Sequence, residues 1–309
     1  MGNPREAYGQ ALVDIAREDE RIWALDADLC KSTMSCYMEQ SFPDRYVEAG
    51  IAEANMVGMA AGLALCGKIP FASSFAVFMA GRAYDQIRQS VCIPRLNVKL
   101  CGSSAGLSDY GDGSTHQTVE DIAIMRALPG MAVLSPGDAR QAYAMVQAAA
   151  RWDGPVYMRV TRSDLADLPG DGTFEIGKVY PLIDGRDITI FATGSMAGRA
   201  VAAAQELKAG GIQPLVVNVS TIKPLDDAAV RELAKRTGIV LTCEEHSVIG
   251  GLGSAVAEAL AETGIPVHFL GIRDEFGQSS NNEQTLLEHY GLTAGHIAGR
   301  VRELIVKDQ

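Results

Sequence analysis

In the stretch "YVEAGIAEANMVGMAAGLALCG" one carboxylate, Glu53, stands between a β-type run and a series of Ala, Gly and Met residues. A carboxyl in apolar surroundings favours its neutral form and can then donate a hydrogen bond. Taken alone, Glu53 equally reads as an acid in a helix first turn, where the dipole favours negative charge. Further on, "PFASSFAVFMAGRAYDQIR" puts Phe75 and Phe78 three residues apart, just after another β-type run. Such a pair fits a core or a bed under a flat ligand. The stretch "GDGSTHQ", residues 111–117, adds Asp112 and His116 in a glycine-rich turn.

These groups need a scaffold, and the chain alternates strand and helix signals. "REAYGQALVDIAREDERI" has helical spacing, and "IWALDADL" is a short strand that stops near Asp28. The runs "YVEAG", "IPFASSF", "LNVKLCG", "MAVLSPG" and "PVYMRVTR" read as strands. Between them lie helical stretches, including "AEANMVGMAAGLALCG", residues 80–92, "TVEDIAIMRALPG" and "DARQAYAMVQAAAR". Alternation of this kind implies crossover connections and a mostly parallel sheet. A Pro-, Gly- and Asp-rich segment at 166–185 reads as a linker between a first domain, 1–165, and a second, 186–309, with "ITIFATG", "PLVVNVS", "GIVLTCEE" and "PVHFLGI" as strands. The fold class is therefore α/β, with two three-layer domains and mostly parallel sheets.

With 309 residues, 47% of them hydrophobic and 21% charged, the chain has the makeup of a globular enzyme. A net charge of −11 gives no broad attraction to nucleic acid or anionic membrane, so neither is expected as a partner. Six cysteines without a C-x-x-C pair imply buried free thiols rather than disulfides or zinc. "MGNPREAYGQ" lacks a signal-peptide core, and no apolar run reaches the roughly 18 residues of a membrane span, which makes a cytoplasmic location the expectation.

The ordered set "REAYGQAL", "DADLCKST", "GIAEANM", "SSFAVFMAGRAYDQIR", "GDGSTHQTVEDIAIMRALPG", "YMRVTR", "STIKPLD" and "CEEHSVIGGLGSAV" resembles transketolase from end to end. The resemblance implies a thiamine diphosphate pyrimidine-binding domain followed by a transketolase C-terminal domain. It makes Glu53 the carboxyl that hydrogen-bonds the cofactor's aminopyrimidine and promotes its imino form, with Phe75 and Phe78 under that ring. Asp28 falls where the family has a carboxylate near the thiazolium, though strand-end Asp is commonly a turn residue. Asp112 and His116 align with the substrate-facing loop, and His is suited to proton movement near neutral pH. Arg5, Ser32 and Arg162 match positions that grip a sugar phosphate, a task suited to Arg's fork of donors. Ser104 stands where many transketolases have His.

In thiamine enzymes Gly-Asp-Gly usually marks the magnesium site, which also needs an Asn pair roughly 30 residues onward. Here no asparagine occurs between Asn97 and Asn218, a second Gly-Asp-Gly at 170–172 lies in the presumed linker, and Asn281 and Asn282 are too distant. Neither triplet reads as a metal site. The family's diphosphate and magnesium (or calcium) site lies in an N-terminal domain that would precede Met1. The resemblance therefore implies the C-terminal subunit of a split transketolase, self-associated into a dimer within an α2β2 assembly. A separate N-terminal subunit would hold most of the cofactor's metal and diphosphate. The implied reaction moves a two-carbon ketol unit between sugar phosphates, as in pentose phosphate metabolism. The rival readings are a beta-type subunit of a 2-oxoacid dehydrogenase and a non-catalytic remnant of the fold. Within "CEEH", Glu244, Glu245 and His246 join Arg273 as regulatory candidates in a second domain otherwise expected to be structural.

Overall fold

Strands covered by helices on both faces are shielded from water along their whole length. The central runs Ile69–Phe75 and Lys99–Ser103 are accordingly buried at every residue. In the computed structural model, which describes residues 2–307, the first sheet is built from β1 (Ile22–Asp26), β2 (Tyr46–Glu48), β3 (Ile69–Phe75), β4 (Lys99–Ser103), β5 (Ala132–Leu134) and β6 (Val156–Arg159). These six strands are parallel, in the order β5-β6-β4-β3-β1-β2. The second sheet takes β7 (Tyr180–Ile183), β8 (Ile188–Ala192) and β9 (Pro214–Asn218). Next in the chain, β10 (Thr221–Lys223) crosses back and pairs antiparallel with β5, extending the first sheet to seven strands. The second sheet is completed by β11 (Val240–Ser247) and β12 (Val267–Ile272) in the order β12-β11-β8-β9-β7.

Two details depart from the sequence reading. β7 lies inside the stretch read as linker yet forms an antiparallel edge on β9, and β10 comes from the second segment yet belongs to the first sheet. Both are three or four residues long, too short for a periodicity to emerge. The helix expected over 80–92 is broken as well: Ala76–Gly81 and Tyr84–Gln86 are separate, and Ile87–Cys92 winds as a π-helix.

Each sheet is a middle layer. On one face of the first, Tyr8, Leu12, Met145 and Val146 of the helices Pro4–Glu18 and Ala139–Arg151 pack on Ile22, Phe71 and Met158. On the other, Met56, Val57 and Ala60 of the helix Glu53–Leu65 meet Leu25, Ala72 and Leu100. Burying one such large side chain contributes roughly 1.5–3 kcal/mol. In the second sheet, β8 sends Ile188 and Ile190 to one helix layer and Phe191 to the other, the two-residue period of a strand. The six cysteines are free thiols; Cys36, Cys92, Cys101 and Cys243 are buried. Among the described residues no helix is long and apolar enough to cross a membrane.

Candidate active site

Open α/β sheets bind ligands beyond the carboxyl ends of their strands, where connections diverge to opposite sides. In the first sheet every sequence-predicted residue except Arg5 follows such an end: Asp28 and Ser32 after β1, Glu53 after β2, Phe75 and Phe78 at β3, Ser104, Asp112 and His116 after β4, and Arg162 after β6. Arg5 reaches the same edge because its helix runs back to feed β1, so its first turn lies level with the strand ends.

Four of these residues form one cluster with a residue that the sequence reading does not single out, Arg82. Glu53 is only 4% exposed and accepts a hydrogen bond at Oε1 from Arg82 Nη1 at 3.2 Å. The Arg82 guanidinium lies 4.1 Å from the centre of the Phe78 ring. Phe75 and Phe78 are nearly parallel, with centroids 6.0 Å apart and planes inclined by 16°. His116 stands edge-on to both, at 5.3 Å from Phe78 and 6.2 Å from Phe75, and its Nδ1 is 3.0 Å from the Thr115 hydroxyl. The setting of Glu53 is thus not purely apolar. Arg82 supplies the opposite charge that a buried carboxylate requires. Its signal in the sequence is the spacing Phe78-x-x-x-Arg82, four residues on one helical face.

A second group gathers at the start of the chain. Asn3 caps the helix Pro4–Glu18 by accepting from the Arg5 backbone N–H, and its amide donates to Asp164 Oδ1 at 3.0 Å. Arg5 Nη1 donates to the Ser32 carbonyl at 2.9 Å; this contact uses the backbone of Ser32 and leaves its hydroxyl out. Arg162 Nη1 bonds Asp109 Oδ2 at 2.9 Å. Burial, and then the neighbouring Arg162, draw the Arg5 pKa below its ordinary value. The carboxylates of Glu6, Asp109 and Asp164 act on it in the opposite sense.

Asp26 also escapes the sequence reading. Fully buried at the end of β1, it accepts from the Thr33 and Ser35 hydroxyls at 2.7 and 2.8 Å and from the Leu29 N–H at 2.6 Å, anchoring the turn that carries Asp28 and Ser32. Burial pushes its carboxyl up to about 6 in spite of those donors. Asp28 itself is exposed at φ +62°, a left-handed conformation that Asp tolerates, and its N–H donates to Glu48 Oε1 at 2.8 Å. Among the described residues no hydrogen bond or ion pair links Asp28 or the exposed Asp112 to the Glu53 cluster. Ser104 is fully buried at φ +53°, and its hydroxyl, like those of Ser74 and Ser103, lacks a partner among the described residues. In the second Gly-Asp-Gly, Asp171 accepts from the Thr173 N–H and hydroxyl, closing a surface turn. Among the described residues no group of three or more His, Cys, Asp or Glu side chains is placed to hold a metal.

A buried carboxylate and two nearly parallel rings thus lie at the strand ends of an α/β domain with helices on both faces of its sheet. The sequence matches the pyrimidine-binding domain of transketolase over residues 3–167 and the transketolase C-terminal domain over 177–297. The chain belongs to the transketolase family. It is 44% identical to the putative transketolase C-terminal section of Methanocaldococcus jannaschii, over 98% of this chain and 96% of that one. It is likewise 44% identical to a 6-deoxy-6-sulfo-D-fructose transketolase subunit of a Clostridium species, over 97% of this chain and 94% of the relative. Among solved structures it is similar to a split-gene transketolase described as an inactive beta4 tetramer, with 47% identity, a TM-score of 0.90 and 99% of each chain covered. In extent and domain content it therefore matches the family's separate C-terminal subunits.

Proposed function

We propose that this chain is the C-terminal subunit of a thiamine diphosphate-dependent transketolase. It moves a two-carbon ketol unit from a ketose phosphate to an aldose phosphate, together with a second polypeptide that binds the diphosphate and its magnesium. The observation that carries the proposal is the cluster of Glu53, Arg82, Phe75, Phe78 and His116 at one sheet edge.

These residues fit the pyrimidine end of the cofactor. Arg82 is the protein donor to Glu53 among the described residues, so the carboxyl keeps acceptor capacity for a ring N–H. Phe75 and Phe78 offer flat apolar surface beside it. When bound, thiamine diphosphate supplies the nucleophilic carbon and electron sink for breaking a carbon–carbon bond beside a carbonyl. In this reading His116, edge-on to the two rings, exchanges a proton with a substrate hydroxyl or carbonyl oxygen. Asp112 on the same loop serves a sugar hydroxyl, Asp28 balances charge near the thiazolium, and Arg5, Ser32 and Arg162 bind the phosphate. In this reading the partner holds the magnesium ion together with the diphosphate.

The helix Glu53–Leu65 supports the need for that partner. Leu65 at its end is 75% exposed, as is Ile51 (74%) in the turn just before it, and Gly58 and Gly62 open onto space, with nothing within 4 Å of where a methyl group would sit. A helix apolar on its outer face expects another surface against it, and glycines let a backbone come close. The occupant proposed is the diphosphate-binding subunit, with the beta4 assembly of the related chain supporting self-association elsewhere.

Affinity purification of the chain from its host, with mass spectrometry of stoichiometric partners, is the test. A partner carrying Gly-Asp-Gly and a properly spaced Asn pair is expected, and the pair should transfer ketol units from free, phosphorylated or sulfonated ketoses. Absence of transfer by such a pair across all three substrate sets contradicts the proposal.

A further inference from the structure

The loop that carries Asp112 and His116 leaves β4 at Ser103 and returns to the helix Asp121–Arg126. Its root is pinned by an antiparallel bridge between Gly106 and Thr118. Beyond that bridge the second domain holds it. The Gln117 amide donates to the Leu107, Asp109 and Gln278 carbonyls, and the Ser280 N–H donates to the Tyr110 carbonyl at 2.8 Å. At the root of the loop the second domain adds Glu245 of β11. This carboxylate is 2% exposed, and its Oε1 accepts the Leu107 N–H at 2.8 Å. Its Oε2 accepts from the Ser195 hydroxyl and from Arg199 Nη1, the latter at 3.3 Å.

The local backbone is shaped for that reach. Between the pairs Cys243↔Leu270 and Ser247↔Ile272, four steps of β11 match two of β12, an irregularity that re-aims the intervening side chains. Opposite it, Gly106 sits at φ +69°, where a methyl group would crowd Glu245 Oε1 at 2.3 Å. The loop comes so close to the carboxylate that only glycine fits.

We propose that Glu245 is a positioning residue: from the second domain it fixes the root of the loop 105–118 and thereby the placement of His116 beside the Phe75 and Phe78 rings. This rests on the transketolase reading for its consequence, though not for its geometry. Arg199 also bonds Glu283 at 3.1 Å, so removing the Glu245 carboxylate does not strand the cation.

The experiment is amide hydrogen exchange on the full chain in its native assembly, with donor kinetics alongside. Glu245→Ala is expected to speed exchange across 105–118 about tenfold or more, while β8 and β9 keep wild-type protection. It should also raise the donor KM. Glu245→Gln keeps an acceptor for the Leu107 N–H and should restore most of both. Gly106→Ala approaches the same contact from the loop side and should loosen the same peptide, which keeps the test open if Glu245→Ala does not fold. Unchanged exchange over 105–118 overturns the proposal, as does a Gln variant as loose as Ala. If the loop loosens but the wild-type assembly transfers no ketol unit, the positioning role stands and the enzymatic reading fails.

Discussion

Glu53 and His116 in the first domain have counterparts of the same types, Glu244 and His246, near the carboxyl end of β11 in the second. The protein uses the two pairs in opposite ways. Glu53 is met by one guanidinium, and His116 by two aromatic edges and a hydroxyl, so both keep capacity for something that is not protein. Glu244 and His246 are fully buried and supplied from within. Glu244 accepts the Leu252 and Gly253 N–H groups at 2.6 and 2.9 Å, at the start of the helix Leu252–Leu260. His246 Nδ1 lies 2.7 Å from the Ser247 carbonyl, and its Nε2 accepts the Ala123 N–H at 3.4 Å from the first domain. Residue type nominates a chemical group; the supply of protein partners decides whether it is left for a ligand.

The largest expected effect breaks the first pair. In the reconstituted enzyme Glu53→Ala should lower kcat by about a thousandfold or more, because a positioned proton-handling group is lost, while gel filtration shows the assembly intact. Near-wild-type turnover would remove Glu53 from the active site.

The second effect sharpens the contrast through pH. Burial pulls His246 down from 6.5 to about 4, so the unfolded chain gains a proton in that window that the folded chain refuses, and stability is lost as pH falls from 6.5 to 4. Burial lifts Glu244 from 4.5 to about 7, so the folded chain holds a proton the unfolded one lacks, and stability is gained as pH falls from 7 to 4.5. The two oppose each other between 4.5 and 6.5 in the wild type. Denaturant titrations should therefore find, relative to wild type, stability rising on acidification for His246→Gln and falling for Glu244→Gln, each by up to about 3 kcal/mol over its window. Parallel slopes for the two variants would show that these groups do not carry the shifts.

A smaller effect concerns Arg162, which is 42% exposed beside its partner Asp109. Arg162→Ala should raise the acceptor KM for phosphorylated sugars about tenfold while hardly changing that for free sugars. Equal increases for both would mean that Arg162 does not read the phosphate.

Much of this is legible in the residues. The βα alternation points to two α/β units, and motif order carries the family resemblance. What escapes is contact between distant segments. Arg82 stands in plain view after Phe78, but nothing in the sequence pairs it with Glu53, because 29 residues separate them and only the fold brings the two helices together. Glu245 looks like part of an acidic run, while its partner Leu107 lies 138 residues away. β7 and β10 are too short to announce their sheets. Asp26 leaves a fainter trace, a strand-end acid followed by Thr33 and Ser35, whose hydroxyls return to it.

The central claim is that this chain holds only the pyrimidine half of a thiamine diphosphate site. Isothermal titration of the purified chain with thiamine diphosphate and magnesium, repeated on its complex with the diphosphate-binding partner, tests it most directly. Negligible binding by the chain alone and tight binding by the complex is the predicted result. Tight, magnesium-dependent binding by the chain alone would contradict the account.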